Sequence, residues 1–119
     1  MSGWNRSLYN ALAGESAVVA VAVANGAAQS AAANLGRKRL VGIYFPASFE
    51  GTKVTIQVSE TLAGTYVDVL KDDGTAYEVT FTDPGYAAVD VLRLSGVQFI
   101  KVTSDVVMTG ANSLNLNVA

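Results

Sequence analysis

The run from Arg39 to Val69 constrains the fold of this chain more than any other feature, because a nearly continuous apolar strand is followed there by two strands that alternate between apolar and polar residues. Its clearest part sets Val54, Ile56 and Val58 against Thr55, Gln57 and Ser59. This period of two predicts a strand with one face in the core and one in solvent. The sequence Asp72-Asp73-Gly74-Thr75 follows the run and favours a tight turn. The region therefore predicts consecutive antiparallel strands.

Similar strand signals recur about every dozen residues along the rest of the chain. The predicted strands span residues 18–24, 27–35, 39–45, 52–59, 65–70, 77–82, 97–103 and 113–118, with a further apolar stretch at 86–94. The pair Asn25-Gly26 predicts that the first two form a hairpin, although the alanines of 27–35 are equally compatible with a helix. The pattern predicts an all-β fold, an antiparallel two-sheet sandwich of the jelly-roll type with eight to nine short strands.

The inward members of the alternating strands define the expected hydrophobic core. They are Val54, Ile56, Val58, Val67, Val69, Val79, Phe81, Leu114 and Leu116. The strand at 97–103 carries apolar residues on both faces, which predicts a central position in its sheet.

The length of 119 residues allows one domain with one core. We assign residues 15–119 to the sandwich and residues 1–14 to an N-terminal arm. The arm carries Trp4, Leu8, Tyr9 and Leu12, and the spacing of Trp4, Leu8 and Leu12 is that of one helix face. Large apolar residues in a polar terminal segment predict that the arm docks on a partner. Folding back onto its own sandwich is an equal alternative.

Composition excludes several classes of function. Charged residues make up 15% of the chain, against about 25% in ordinary soluble domains, and the formal net charge is −2. No basic surface dominates, so no nucleic-acid partner is expected. The apolar stretch at 15–35 is interrupted by polar residues and predicts no membrane span. A surface so poor in charge is expected either to aggregate or to be covered by partners.

The sequence offers no constellation for catalysis. Cys and His are absent, and no nucleophile motif, phosphate loop or dinucleotide fingerprint occurs. We therefore expect no enzymatic activity and no cofactor. Asp68, Asp72 and Asp73 could be imagined as calcium ligands, but their spacing differs from an EF-hand loop. The turn explains Asp72 and Asp73, so no metal site is predicted.

Two further groups of residues are candidates for binding. Arg37, Lys38 and Arg39 form the one basic cluster, which could contact an acidic surface or a phosphate, or could be a solvated edge. Tyr44, Tyr66 and Tyr86 could stack on sugars or cap the sandwich core.

The stretch Gly42 to Ser59, GIYFPASFEGTKVTIQVS, then Thr65-Tyr66-Val67-Asp68-Val69 and an Asp-Gly turn, resembles the small β-sandwich virion proteins of tailed bacteriophages. The resemblance covers residues 17 to 118. It implies a head decoration or cement protein that sits on the assembled capsid lattice. The implied partners are the major capsid protein and sister copies in a homo-oligomer, with a trimer as one candidate. The resemblance also implies that the protein is in the host cytoplasm before assembly and in the virion afterwards, with the head surface as the favoured location.

Two rival functions fit the same sandwich. One is a carbohydrate- or receptor-binding module on a tail or head fibre, and the other is a ring component of the tail or connector. The fold alone does not separate them.

Overall fold

Two antiparallel sheets pack face to face. The computed structural model describes residues 16–119, and these form nine strands and no helix. The strands are β1 (Ala17–Val23), β2 (Ala33–Asn34), β3 (Leu40–Phe45), β4 (Lys53–Ser59), β5 (Val67–Asp68), β6 (Glu78–Thr80), β7 (Gly85–Ala88), β8 (Phe99–Ser104) and β9 (Asn112–Val118). The predicted all-β, two-sheet sandwich is confirmed.

The first sheet has the strand order β1-β9-β3-β7. None of the residues in these four strands is Asp, Glu, Lys or Arg, and we call it the uncharged sheet. Strand β1 pairs with β9 along its whole length, from Ala17 opposite Val118 to Val23 opposite Asn112. In β9 the leucines at 114 and 116 are buried and alternate with exposed polar residues, as the period of two predicts.

The second sheet has the order β2-β8-β4-β5, with β6 also paired to β4. Its strands carry Lys53, Asp68, Glu78 and Lys101, and we call it the charged sheet. Strand β8 has β2 on one side and β4 on the other. The central position predicted for this strand is therefore confirmed.

A cluster of three phenylalanines fills one part of the core between the sheets. The rings of Phe45 and Phe81 stack with their centroids 3.9 Å apart, and the Phe49 ring lies 5.4 Å from each of them. Phe49 belongs to the turn after β3, where its N–H donates to the carbonyl of Pro46 at 3.0 Å. This turn returns a large side chain to the core after Pro46 has ended the strand.

The hairpin predicted for residues 18–24 and 27–35 is wrong. A turn does form at Asn25-Gly26, where Gly26 has a φ of 83°, but the chain then crosses to the other sheet. There β2 pairs with β8, while β1 pairs with β9. The crossover brings Ala33 and Leu35 to the charged sheet, where both side chains are buried in the core.

One predicted core residue is on the surface. Val67 is 58% exposed, because β5 is two residues long and pairs only with Gln57 and Val58 at the end of β4. Val58 is half-buried and packs against the core. The other predicted core residues are buried, namely Val54, Ile56, Val69, Val79, Phe81, Leu114 and Leu116.

Gln57 also departs from the sequence expectation of a solvated face, since it is only 7% exposed. Its Nε2 donates to Thr55 and to Asp68, each at 2.8 Å, and its Oε1 accepts from Thr103 at 2.7 Å. These bonds replace the hydrogen bonds to water that the side chain loses when it is buried. A hydrogen-bonded row of side chains thus covers the outer face of the charged sheet.

Candidate interaction surfaces

The outer face of the uncharged sheet is a broad surface without formal charge. Ala20, Asn115, Tyr44 and Tyr86 lie in one row across its four strands. All four side chains are exposed, and so are Val18, Ala22, Ala88 and Ser113. The residues of this surface are therefore small, aliphatic, amide, hydroxyl or aromatic, and we call it the uncharged face.

A tyrosine pair is the most prominent feature of the uncharged face. The rings of Tyr44 and Tyr86 lie 4.5 Å apart at a tilt of 50°. The hydroxyl oxygen of Tyr86 accepts a hydrogen bond from Asn117 Nδ2 at 3.1 Å. Residue 42 must be glycine for this arrangement, because a Cβ atom there would collide with the Tyr86 ring. Glycine at position 42 therefore leaves the space in which the Tyr86 ring lies over β3 beside Tyr44.

Tyr44, Tyr66 and Tyr86 form one group of candidates in the sequence, but the structure pairs Tyr44 with Tyr86 and places Tyr66 beneath Lys101 of the charged sheet. The face itself was not predicted. The available signal was the absence of charge from four separate strand segments, 17–23, 40–45, 85–88 and 112–118. Only the sheet order brings those segments side by side.

Such a face is suited to contact with another protein. Burying it would remove no ionised side chain of these strands from water, and the desolvation of charges is a large cost of forming an interface. Aromatic residues are enriched at the centres of interfaces, and charged residues are depleted there. The opposite face differs, because it carries the Lys53–Glu78 ion pair at 3.0 Å and Lys101 over the ring of Tyr66 at 4.6 Å.

The basic cluster predicted from the sequence lies in the turn between β2 and β3. Arg37 and Arg39 are exposed and Lys38 is half-buried. Arg39 exchanges two backbone hydrogen bonds with Ala119, each at 3.0 Å. The turn is thus fixed beside the last residue of the sequence. A partner for it remains a prediction, and the other predicted binding residues, Trp4, Leu8, Tyr9 and Leu12, lie outside the described residues.

A groove of about 750 Å³ opens at one end of the sandwich, and we call it the end groove. Val58, Val67, Val97 and Phe99 supply its apolar lining, and hydroxyl and amide side chains supply most of the remainder. The groove was not predicted from the sequence, because its lining comes from two segments, 58–67 and 96–99, that are distant along the chain.

The three aspartates weighed as metal ligands make separate contacts. Asp68 accepts from Gln57, Asp72 contacts Arg93 at 3.4 Å, and Asp73 accepts from the hydroxyl and N–H of Thr75. The two bonds from Thr75 hold the pKa of Asp73 below its usual value. Among residues 16–119, no group of three Asp or Glu side chains is placed to hold a metal ion.

Asp105 fixes another turn. It accepts from the backbone N–H and the hydroxyl of Thr52, both at 3.0 Å, and these bonds lower its pKa. A carboxylate that is held ionised in this way serves the loop it closes rather than proton transfer.

Comparison with protein families, with curated proteins and with solved structures finds no match for this chain. Within the described part of the chain there is no helix that is long and apolar enough to cross a membrane.

Proposed function

We propose that this protein is a non-enzymatic structural protein of a bacteriophage particle, a decoration or cement protein that binds the assembled head lattice. The observation that carries the proposal is the uncharged face with its tyrosine pair. The phage assignment rests on the resemblance of residues 17 to 118 to small virion proteins. The expected partners are the major capsid protein and sister copies.

The shape of the uncharged face favours a macromolecular partner over a small ligand. Small-molecule sites are concave and enclose most of their ligand, whereas this face is the outer side of a four-stranded sheet. Many copies bound to one lattice would add weak contacts into strong attachment. Whatever binds only the assembled form stabilises that form by mass action.

Binding to capsids tests the proposal. We expect the protein to sediment with assembled capsids and not with unassembled capsid subunits, because only the lattice presents repeated sites. Saturated capsids should also melt at a higher temperature than bare ones. Equal binding to free subunits, or no binding to either, would contradict the proposed role.

A carbohydrate-binding module is the second candidate, and the Tyr44–Tyr86 pair is the observation that favours it. Exposed aromatic rings offer apolar faces beside polar groups, which is the combination that a sugar ring requires. Titration with a panel of glycans separates the candidates. Saturable binding that a Tyr44→Ala substitution removes would favour the carbohydrate module over the capsid role.

A further inference from the structure

The end groove lies at the end of the sandwich where β1 begins. Gly96, Val97 and Gln98 line both this groove and a neighbouring cleft, whose other lining residues include Arg39 and Ala119. Val118, the neighbour of Ala119 in the sequence, pairs with Ala17, the first residue of β1. Ala17 therefore lies at the end of the sandwich that holds the groove.

The chemistry of the groove matches the composition of residues 1–15. Its lining offers exposed apolar surface at Val67 and half-buried apolar surface at Val58, Val97 and Phe99. Glu60 is the one charged residue that lines it. Residues 1–15 carry Trp4 as their largest side chain and a single basic side chain, Arg6, two positions later. The segment thus offers an apolar anchor and a nearby cation, which are complementary in chemistry to an apolar groove with one carboxylate.

We propose that residues 1–15 bind the end groove of their own molecule, with Trp4 as the anchor. Trp4 lies twelve positions before Ser16, and a random-coil segment of that length has a root-mean-square span of about 20 Å. That span is similar to the width of one end of a small domain. The effective concentration of a tethered segment is highest when the span of the tether matches the distance to the binding site. A tethered Trp4 therefore reaches its own groove ahead of a neighbour's.

The sequence leaves two roles open for the arm, docking on a partner and folding back onto its own sandwich. The proposed contact is the second of these. A segment held in its own groove is not available to attach the protein to a capsid, and the uncharged face is left to make that attachment. The contact would form whether or not the protein binds capsids.

Tryptophan fluorescence of the full-length protein tests the inference, because Trp4 is the only tryptophan in the chain. We expect blue-shifted emission that is poorly quenched by acrylamide and independent of protein concentration. Val67→Lys should shift the emission towards that of the unfolded protein and raise quenching several-fold. Val107→Lys is the matched control, since Val107 is 56% exposed against 58% for Val67 but lies in the loop before β9. Its emission should equal that of the wild type.

Disulfide trapping identifies which molecule supplies the segment, and the natural chain has no cysteine to interfere. Under mild oxidation, Asn5→Cys combined with Thr65→Cys should give a bond within one molecule. Asn5→Cys with Thr109→Cys should give no such bond. Thr109 follows Met108, whose carbonyl accepts from Gly26 just beyond the other end of β1. Disulfide-linked dimers would place the segment on a second copy and overturn the inference. A wild-type Trp4 that is fully exposed, or a blue shift that Val67→Lys leaves unchanged, would also overturn it.

Discussion

Replacing Phe49 by alanine is expected to lower the free energy of unfolding by about 3–5 kcal/mol. Phe49 is 1% exposed and packs against the rings of Phe45 and Phe81. Removing its ring leaves a cavity beside two rings that already stack on each other, so neighbouring side chains cannot easily fill the space. Domains of this size are stable by about 5–15 kcal/mol, and the variant should therefore be close to the threshold of folding.

Denaturant unfolding of the purified variant measures this loss, and the Leu92→Ala variant is its control. Leu92 is 86% exposed, so truncating it should change stability by less than about 0.5 kcal/mol. An equal loss in the two variants, or a loss below about 1 kcal/mol for Phe49→Ala, would mean that the phenylalanine cluster does not hold the sheets together.

Introducing a charge into the uncharged face should have the largest effect on attachment to capsids. Asn115 is exposed and lies between Ala20 and Tyr44 in the row across the sheet. Asn115→Lys would place an ammonium group at the centre of the contact without touching the core. Burying an unpaired charge there should cost about 2 kcal/mol or more per contact, which is at least roughly a tenfold loss of affinity.

Ala63→Lys is the matched control for Asn115→Lys. Ala63 is exposed in the loop that joins β4 to β5 of the charged sheet, so the same charge is added away from the uncharged face. Both variants should unfold like the wild type, and only Asn115→Lys should fail to sediment with capsids. Equal binding by both variants would place the capsid contact away from the uncharged face, and the Arg37–Arg39 turn would be the next surface to test.

Local pattern was sufficient to predict those elements whose burial follows from neighbouring residues. Strands β3, β4, β8 and β9 were found because their side chains alternate or form short apolar runs that end at turn residues. The same rule identified Ile56, Leu114 and Leu116 as core residues, and each is buried.

Long-range pairing could not be predicted in this way. Nothing in residues 17–23 indicates that their partner lies at 112–118, since the turn after β1 favours a local hairpin. Phe49 was missed because it lies in a turn, where no period marks the inward side. The burial of Gln57 depends on hydrogen bonds to residues in two neighbouring strands, Asp68 and Thr103, which become neighbours only in the assembled sheet.

The uncharged face and the end groove have the same origin. Each is built from segments that are far apart in the sequence, and neither carries a catalytic or metal-binding motif that a sequence search would find. The surface to which Tyr44 or Val67 contributes depends on the strand that pairs with its own. Function in such a chain is therefore read from its surfaces rather than from motifs.

The number of copies of this protein in purified phage particles tests the proposed role most directly. A decoration protein occupies a site that the head lattice repeats, so quantitative mass spectrometry should find on the order of hundreds of copies per particle. A handful of copies would place the protein in the tail or connector, and its absence from particles would contradict a structural role in the virion.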